Sequence, residues 1–161
     1  MATVADMMSA EKRKRTMSRI RSQSKLENRI TKALWAEGYR FRKNVRTLMG
    51  SPDIAIQKYR VVIFIDSCFW HMCPDHGNWP KSNQEFWNRK LGRNIERDRE
   101  VNAHYHEKGW HIMRMWEHEF KEDFKGAIDR MTAFIEMAKF ETMREKKIIP
   151  GIVIWLLTIP G

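Results

Sequence analysis

Two aspartates flank a pair of apolar runs that are typical of neighbouring strands. Asp53 opens the run 53–57, and Asp66 closes the run 60–66. If the two residues between the runs form a tight turn, Asp53 lies opposite Phe64, and Asp66 becomes its diagonal neighbour on the same face, within about 7–8 Å. Two carboxylates so placed can share a hard cation such as Mg²⁺. The alternative is structural: Asp53 caps a turn and Asp66 ends a strand.

Two further side chains extend this acidic pair towards hydrolytic chemistry. Glu27, earlier in the chain, offers a third carboxylate, and His71, just beyond Asp66, offers an imidazole that can act as a general base on an attacking water. A metal at such a site activates water and stabilises charge on a phosphate. A lone histidine is more often structural, so both readings of His71 stay open.

A second group of residues has the chemistry of a zinc site. Cys68, Cys73 and His76 follow one another in the pattern C-x4-C-x2-H, and His118 comes far along the chain at the end of a predicted strand. Two thiolates and two imidazoles match a closed tetrahedral structural zinc site, although the spacing is not that of a zinc finger. The alternative is a pair of buried cysteines beside exposed histidines.

Aromatic pairs adjoin these residues and precede a basic stretch. Phe69-Trp70 lies between the cysteines, and Phe86-Trp87 opens a predicted helix. Polar and basic residues follow on that helix: Arg89, Lys90, Arg93, Asn94, Arg97 and Arg99. Apolar side chains beside cations can wedge between base pairs or stack on bases. We expect Phe86 in the core, whereas Trp70 and Trp87 suit a core or a DNA wedge equally well.

The elements that position these residues alternate between helix and strand. A helix capped by Ser24, with Glu27 three residues on as in a capping box, should end at Gly38. The sequence then predicts a half-exposed strand over 39–46 and a hairpin of strands 53–57 and 60–66. A loop over 67–82, a helix over 83–108, a strand over 110–117 and a final amphipathic helix over 119–146 complete the pattern.

Composition favours one DNA-binding domain. The 161 residues include 30 Lys and Arg against 20 Asp and Glu, a net charge of +10. Such an excess favours a polyanionic partner, because neutralising phosphates releases counterions. No apolar run of about 18 residues spans a membrane, and the basic first segment does not resemble a secretory signal. With two cysteines and no export signal, we expect a cytoplasmic protein.

The chain divides into three parts on this reading. Residues 1–22 form a basic arm that includes Arg13 and that either frays in solvent or orders on DNA. Residues 23–147 form the folded domain. The apolar tail 148–161 either adds a strand, packs on a partner or is foreign to the domain, and its role is left open.

Several motifs, in unbroken order from about Arg15 to Lys139, closely resemble the very-short-patch-repair (Vsr) DNA mismatch endonucleases. They are Ser51-Pro52-Asp53, the run Val62–Gly77 with its distinctive Cys-Phe-Trp-His element, Phe86–Lys90, Asn94–Asp98, Gly109-Trp110 and Trp116-Glu117-His118. The resemblance implies an α/β fold similar to type II restriction endonucleases, a mixed central sheet flanked by helices with a structural zinc loop. It also implies Mg²⁺-dependent nicking of duplex DNA 5′ to the T of T:G mismatches that arise when 5-methylcytosine deaminates.

The resemblance also implies catalytic roles. Asp53 is expected as the central Mg²⁺ ligand, with the Ile65 backbone carbonyl as a second. His71 is expected as the base, with Glu27 and Asp66 in support. The best-known member of the family carries histidine where this chain has Asp66, so we expect Asp66 to bind metal here.

The remaining family roles fall on the loop and the helix after it. The expected zinc ligands are Cys68, Cys73, His76 and His118, although the family's zinc loop is spaced differently. Phe69, Trp70 and Trp87 resemble the intercalating wedge, and Lys90 and Asn94 resemble the residues that read the mismatch.

Two other functions remain as alternatives: a site-specific double-strand nuclease on the same fold, and a non-catalytic zinc-stabilised DNA-binding module. The carboxylates and His71 argue against the second, since binding alone needs neither. For the leading function we expect a monomer with T:G-mismatched duplex DNA as substrate, mismatch-repair proteins as further partners, and association with the nucleoid.

Overall fold

A mixed four-stranded sheet organises the molecule. The computed structural model describes residues 10–147, with side chains at 14, 15, 17 and 25–146. In spatial order the strands are β1 (Arg42–Lys43), β2 (Ile54–Ile56), β3 (Val61–Asp66) and β4 (His111–Trp116). The first two pairings are antiparallel and β3 pairs with β4 in parallel, which requires a crossover between them.

The register of the β2–β3 hairpin is the one predicted from the apolar runs. Ile54 pairs with Ile63 and Ile56 pairs with Val61, so the next position outward brings Asp53 opposite Phe64. The connection is a 3-10 turn over Gln57–Tyr59 rather than a two-residue turn. Both connections give the same register, and therefore the predicted placement of Asp53 is confirmed.

Helices cover both faces of the sheet. They are α1 (Ala10–Ala36), α2 (Gln84–Glu107), α3 (Glu117–Glu122) and α4 (Phe124–Lys147). Alternate residues of β3, such as Val61 and Ile63, pack with the apolar sides of α1, α3 and α4. The intervening residues, Val62 and Phe64, pack against α2. The fold is thus a three-layer α/β arrangement, and α2 is the crossover between the parallel strands.

The N-terminal helix begins earlier than predicted. Ser24 lies inside α1 and does not cap it, because the residues before it are good helix formers without Gly or Pro. The predicted end is confirmed: Gly38 has a φ of +92°, which favours glycine after a helix. The boundary predicted between residues 22 and 23 falls within α1, and the division into arm and domain stays a prediction.

Two other element predictions need correction. The final helix is interrupted at Asp123, whose φ of −142° is extended and whose Oδ1 accepts a hydrogen bond from the Gly126 N–H at 2.9 Å. That carboxylate starts α4 afresh, as an N-cap does. The strand predicted over 39–46 is reduced to Arg42–Lys43, since Asn44 has a φ of +48° and turns follow it.

The loop over 67–82, helix α2 and strand β4 follow the prediction closely. Within residues 10–147, none of the helices is both long and apolar enough to cross a membrane. The apolar tail and the first nine residues of the arm lie outside the described residues.

Candidate active site and metal centre

A polar recess opens on the α2 side of the sheet, at the carboxyl end of β3. Its volume is about 310 Å³. Acidic, basic and imidazole side chains meet there because the segment just before β2, strands β3 and β4, the loop after β3 and helix α2 each contribute to its wall. Its lining includes Asp53, Asp66, His71, Asn94, Asp98 and Arg114. Asp53, Asp66 and His71 were predicted to lie together, and the structure brings them together.

Asp53 is held by backbone geometry beside the end of β3. Its Oδ2 accepts a hydrogen bond from the Ile65 N–H at 2.7 Å. Burial raises the pKa of Asp53 to about 6; the Ile65 hydrogen bond opposes this rise, and the charges of Glu27 and Asp66 add to it. A carboxylate under this repulsion is relieved by a cation, and an oxygen-only donor set of carboxylates and backbone carbonyl suits Mg²⁺.

Glu27 approaches the same group from α1. Its side chain is half-buried, and burial raises its pKa while the Lys43 charge lowers it. Its charge adds to the rise in the pKa of Asp53. A supporting role for Glu27 at a cation bound by Asp53 stays a prediction.

His71 lies between two carboxylates. Its Nδ1 is 2.6 Å from Asp98 Oδ2, and its Nε2 is 3.8 Å from Asp66 Oδ1. Burial lowers the pKa of His71, but the Asp98 hydrogen bond and the carboxylate charges outweigh it and raise the pKa overall. When Nδ1–H is donated to Asp98, Nε2 is the basic nitrogen, as a general base requires.

Two residues of the recess were missed by sequence reasoning. Asp98 on α2 contacts His71, and Arg114 on β4 contacts both Asp66 and Asp98. Each interrupts an apolar pattern: Asp98 lies on the stripe of α2 that includes the buried Leu91 and Val101, and Arg114 lies on the α2 face of β4. A charged residue at a core position was the available signal.

A second cluster lies beside the recess, where the loop after β3 meets the start of α3. The ligand atoms of Cys68, Cys73, His76 and His118 all lie within 4.8 Å of one another. The His118 Nδ1 is 3.2 Å from Cys68 Sγ and 3.5 Å from Cys73 Sγ. Tetrahedral zinc with sulfur and nitrogen ligands has ligand–ligand separations of about 3.3–3.8 Å, so this donor set fits the metal.

The environment of the thiols also favours a cation. Burial raises the pKa of Cys68 to about 11, against a lowering by His118, and Cys73 and Glu117 raise it further. A thiol in this position ionises only with a positive charge beside it. The four predicted ligands are thus assembled into a group that can hold a metal, and zinc as its identity stays a prediction.

The aromatic residues form one cluster, and its member Trp70 directly precedes His71, which lines the recess. The Phe69 ring lies 5.0 Å from Trp70 and 5.5 Å from Trp87, measured between ring centroids. Phe86 contacts Trp87 but is 46% exposed, so its predicted place in the core is wrong. Its exposure follows from its position in the first turn of α2, beyond the edge of the sheet.

Lys90 and Asn94 link this cluster to α2. The Lys90 ammonium lies 5.2 Å from the Trp70 ring, and Asn94 Nδ2 donates to the Trp70 carbonyl at 3.0 Å. Arg13 belongs to helix α1 and is more than 50 residues before Trp70 in the chain. The structure describes its backbone but not its side chain. The arrangement offers a half-buried aromatic surface with a cation beside it.

Comparison with known proteins identifies the family. A family model described as DNA mismatch endonuclease Vsr matches residues 5–76. The type II nicking enzyme V.NaeI of Lentzea aerocolonigenes is 44% identical over 113 residues, 67% of this chain and 68% of its own. The type II nicking enzyme V.NmeDIP of Neisseria meningitidis serogroup C is 34% identical over 88% of this chain and 99% of its own.

The DNA mismatch endonuclease Vsr of Escherichia coli K12 is 34% identical over 119 residues, 71% of this chain and 74% of its own. Two of these relatives are named as nicking enzymes and one as a DNA mismatch endonuclease, and their matches are longer than the short motifs quoted above. The predicted family is therefore confirmed, and this chain belongs to the Vsr family of DNA endonucleases.

Proposed function

We propose that this protein nicks duplex DNA 5′ to the T of T:G mismatches, in a reaction that requires Mg²⁺. The observation that carries the proposal is the recess that Asp53 and His71 both line. Phe69 and Trp70 of the aromatic cluster directly precede His71 in the chain. Two relatives named above are nicking enzymes and one is a mismatch endonuclease, which favours a single-strand cut over the double-strand alternative.

Asp53 and the Ile65 backbone carbonyl hold the metal in this proposal, with Glu27 in support. Bound Mg²⁺ supplies charge stabilisation at the scissile phosphate and lowers the pKa of bound water. Asp66 is a further ligand candidate, but its Oδ2 is engaged by Arg114 at 2.7 Å. The contacts of Asp66 therefore favour a role in supporting the His71 imidazole over a role as a metal ligand.

His71 acts as the general base. Its Nε2 takes a proton from the attacking water while the water oxygen forms a bond to phosphorus and the bond to the leaving ribose oxygen breaks. The hydrogen bond from Nδ1 to Asp98 fixes the orientation of the ring and stabilises the imidazolium that forms. The catalytic set is thus Asp53 with His71, supported by Glu27 and the carboxylates beside the imidazole.

The aromatic cluster selects the mismatch. Phe69, Trp70 and Trp87 enter the base stack where pairing is weak, because unstacking costs least at a mispaired step. Lys90 and Asn94 lie beside Trp70 and read the opened base pair. Insertion next to His71 couples recognition to placement of the scissile phosphate.

The cysteine–histidine group holds a structural zinc ion that orders the loop carrying Phe69, Trp70 and His71. This loop has little apolar core of its own, so metal binding contributes directly to its folding free energy. We also propose that the protein is cytoplasmic, associates with the nucleoid and meets mismatch-repair proteins at the nick.

The test compares wild type, Asp53→Ala and Asp129→Ala on T:G and matched duplexes with Mg²⁺. Asp129 is an exposed aspartate of α4, on the opposite side of the sheet. We expect nicking of the T:G duplex by wild type and Asp129→Ala, and binding without nicking by Asp53→Ala. A double-strand cut or retention without any cut by wild type would support the alternatives instead.

A further inference from the structure

Arg114 joins the two carboxylates on either side of His71. Its Nη1 is 2.7 Å from Asp66 Oδ2, and its Nη2 is 3.1 Å from Asp98 Oδ1. The Nε–H donates to Asn102 Oδ1 at 2.8 Å, and the guanidinium carbon lies 4.6 Å from the centroid of the Phe64 ring. All three nitrogen atoms of the guanidinium therefore have acceptors, and one face of the group stacks on the Phe64 ring.

The surroundings of Arg114 explain why a cation stands there. Asp66 is only 4% exposed, and a buried carboxylate without a partner is strongly destabilising. Asp66 and Asp98 lie near each other on either side of one imidazole and would repel each other. A guanidinium can hold two carboxylates with separate nitrogens, which the single ammonium of a lysine cannot do in the same geometry.

The contacts also make a direct role in DNA binding a poor fit. The Arg114 side chain is 18% exposed, and all three of its nitrogen atoms already have acceptors within the protein. A phosphate-binding arginine needs free donors directed at solvent. The two Nη atoms of Arg114 point to Asp66 and Asp98, the carboxylates beside His71, and its Nε–H points to Asn102.

We propose that Arg114 is a positioning residue for the nicking reaction. It holds Asp98 against Nδ1 of His71 and Asp66 on the Nε2 side, so that Asp66 serves the imidazole and is not a metal ligand. The inference rests on the proposed function in one respect, the role of His71 as the base.

The kinetic test uses Arg114→Gln and Arg114→Lys, with Arg130→Gln as the matched control. Arg130 is an exposed arginine of α4 that pairs with Glu119 at 3.0 Å on the other side of the sheet. We expect Arg114→Gln to lower the single-turnover nicking rate at saturating enzyme by about 10-fold or more, with the Kd for the duplex unchanged. Arg114→Lys should recover little of that rate, and Arg130→Gln should match wild type.

Three outcomes would overturn the proposal. A weaker Kd with an unchanged rate would make Arg114 a DNA contact. An unchanged rate and Kd would leave it without a role in the reaction. Full recovery by lysine would show that charge alone suffices, without the fork.

A second measurement separates positioning from folding and does not depend on activity. Thermal unfolding of Asp66→Asn, Arg114→Gln and the double variant forms a double-mutant cycle. We expect the double variant to unfold at a higher temperature than Arg114→Gln, because the unpaired buried carboxylate is gone, while its nicking rate stays low. Additive melting shifts, or recovery of the rate together with stability, would contradict the proposal. Absence of nicking by wild type would refute the proposed function and leave the unfolding cycle interpretable.

Discussion

The orientation and tautomer of the His71 imidazole depend on Asp98, which contacts its Nδ1 atom. At 2.6 Å from Nδ1, Asp98 holds the ring in the tautomer whose Nε2 is basic. We predict that Asp98→Asn lowers the single-turnover nicking rate by about 10- to 100-fold. This is less than the roughly 10²- to 10⁴-fold that general-base catalysis contributes, because the imidazole itself remains. DNA affinity should not change. Asp129→Asn serves as control, and an unchanged rate for Asp98→Asn would count against the assigned tautomer.

Trp70 is the residue at which recognition and packing can be told apart. Its ring is half-buried and contacts Phe69 and Trp87. We predict that Trp70→Ala weakens binding of the T:G duplex by about 1–3 kcal/mol more than binding of the matched duplex, the scale of base–aromatic stacking. Binding titrations measure both. Trp79→Ala, an exposed tryptophan of the same loop, is the control, and equal losses on the two duplexes would make Trp70 a packing residue only.

Much of the candidate site was predictable residue by residue. Asp53 and Asp66 followed from one hairpin register, and the four metal-ligand candidates followed from residue type. Asp98 and Arg114 were missed, because each is one charge among many on a charged helix and a mixed strand. The charge at a core position was a local signal for each residue, but their shared contacts come from three elements meeting at one point, which the sequence pattern does not encode.

At the scale of elements, the loop that carries the cysteine–histidine group is constrained by a close backbone contact at Gly77. A Cβ at Gly77 would lie 2.5 Å from the Cys73 carbonyl oxygen, a backbone atom that cannot yield easily. We predict that Gly77→Ala lowers both the metal content and the free energy of unfolding, the latter by about 1–3 kcal/mol. Metal analysis and thermal unfolding measure these effects.

The matched control for this loop is Gly92→Ala in α2. A Cβ there meets nothing within 4 Å, and alanine in a helix interior is favoured over glycine by about 0.5–1 kcal/mol. Gly92→Ala should therefore raise the stability slightly and leave the metal content unchanged. Full metal content in Gly77→Ala would contradict the account of the loop.

The elements themselves were predictable where apolar residues repeat at a clear period, as in β3, β4 and α2. The predicted start of α1 was wrong because Ser24 and Glu27 form a capping pattern inside a stretch of good helix formers. The longer helix gives more backbone N–H and C=O groups a hydrogen-bond partner. The break before α4 was missed because Asp123 directly follows two other charged residues, Lys121 and Glu122, with neither Gly nor Pro beside it. Its capping role appears only once the chain has turned.

The charge of the whole molecule should govern its affinity for duplex DNA of any sequence. A net charge of +10 predicts an affinity for matched duplex that falls steeply with salt, by about 10³-fold or more between about 50 and 200 mM if six or more phosphates are contacted. Arg13→Ala should weaken both duplexes alike and reduce the slope of log K against log salt by about 1. Titrations at several salt concentrations measure the slope.

The control for that prediction is Lys125→Ala. Lys125 lies on α4, on the opposite side of the sheet from the recess, so its removal should leave the slope unchanged. An equal reduction by Lys125→Ala would mean that diffuse charge, and not a basic arm, determines the salt dependence.

The parallel pairing of β3 with β4 has a consequence for the order of folding. Three ligands of the metal cluster, Cys68, Cys73 and His76, lie within nine residues, whereas His118 is 50 residues beyond Cys68. The three local ligands can capture a metal in the unfolded chain, but the fourth arrives only after α2 has carried the chain across and β4 has docked beside β3. We therefore predict that closing the cluster is a late event in refolding. A chelator added early should compete with three candidate ligands, whereas one added late should have to open the paired edge strand β4.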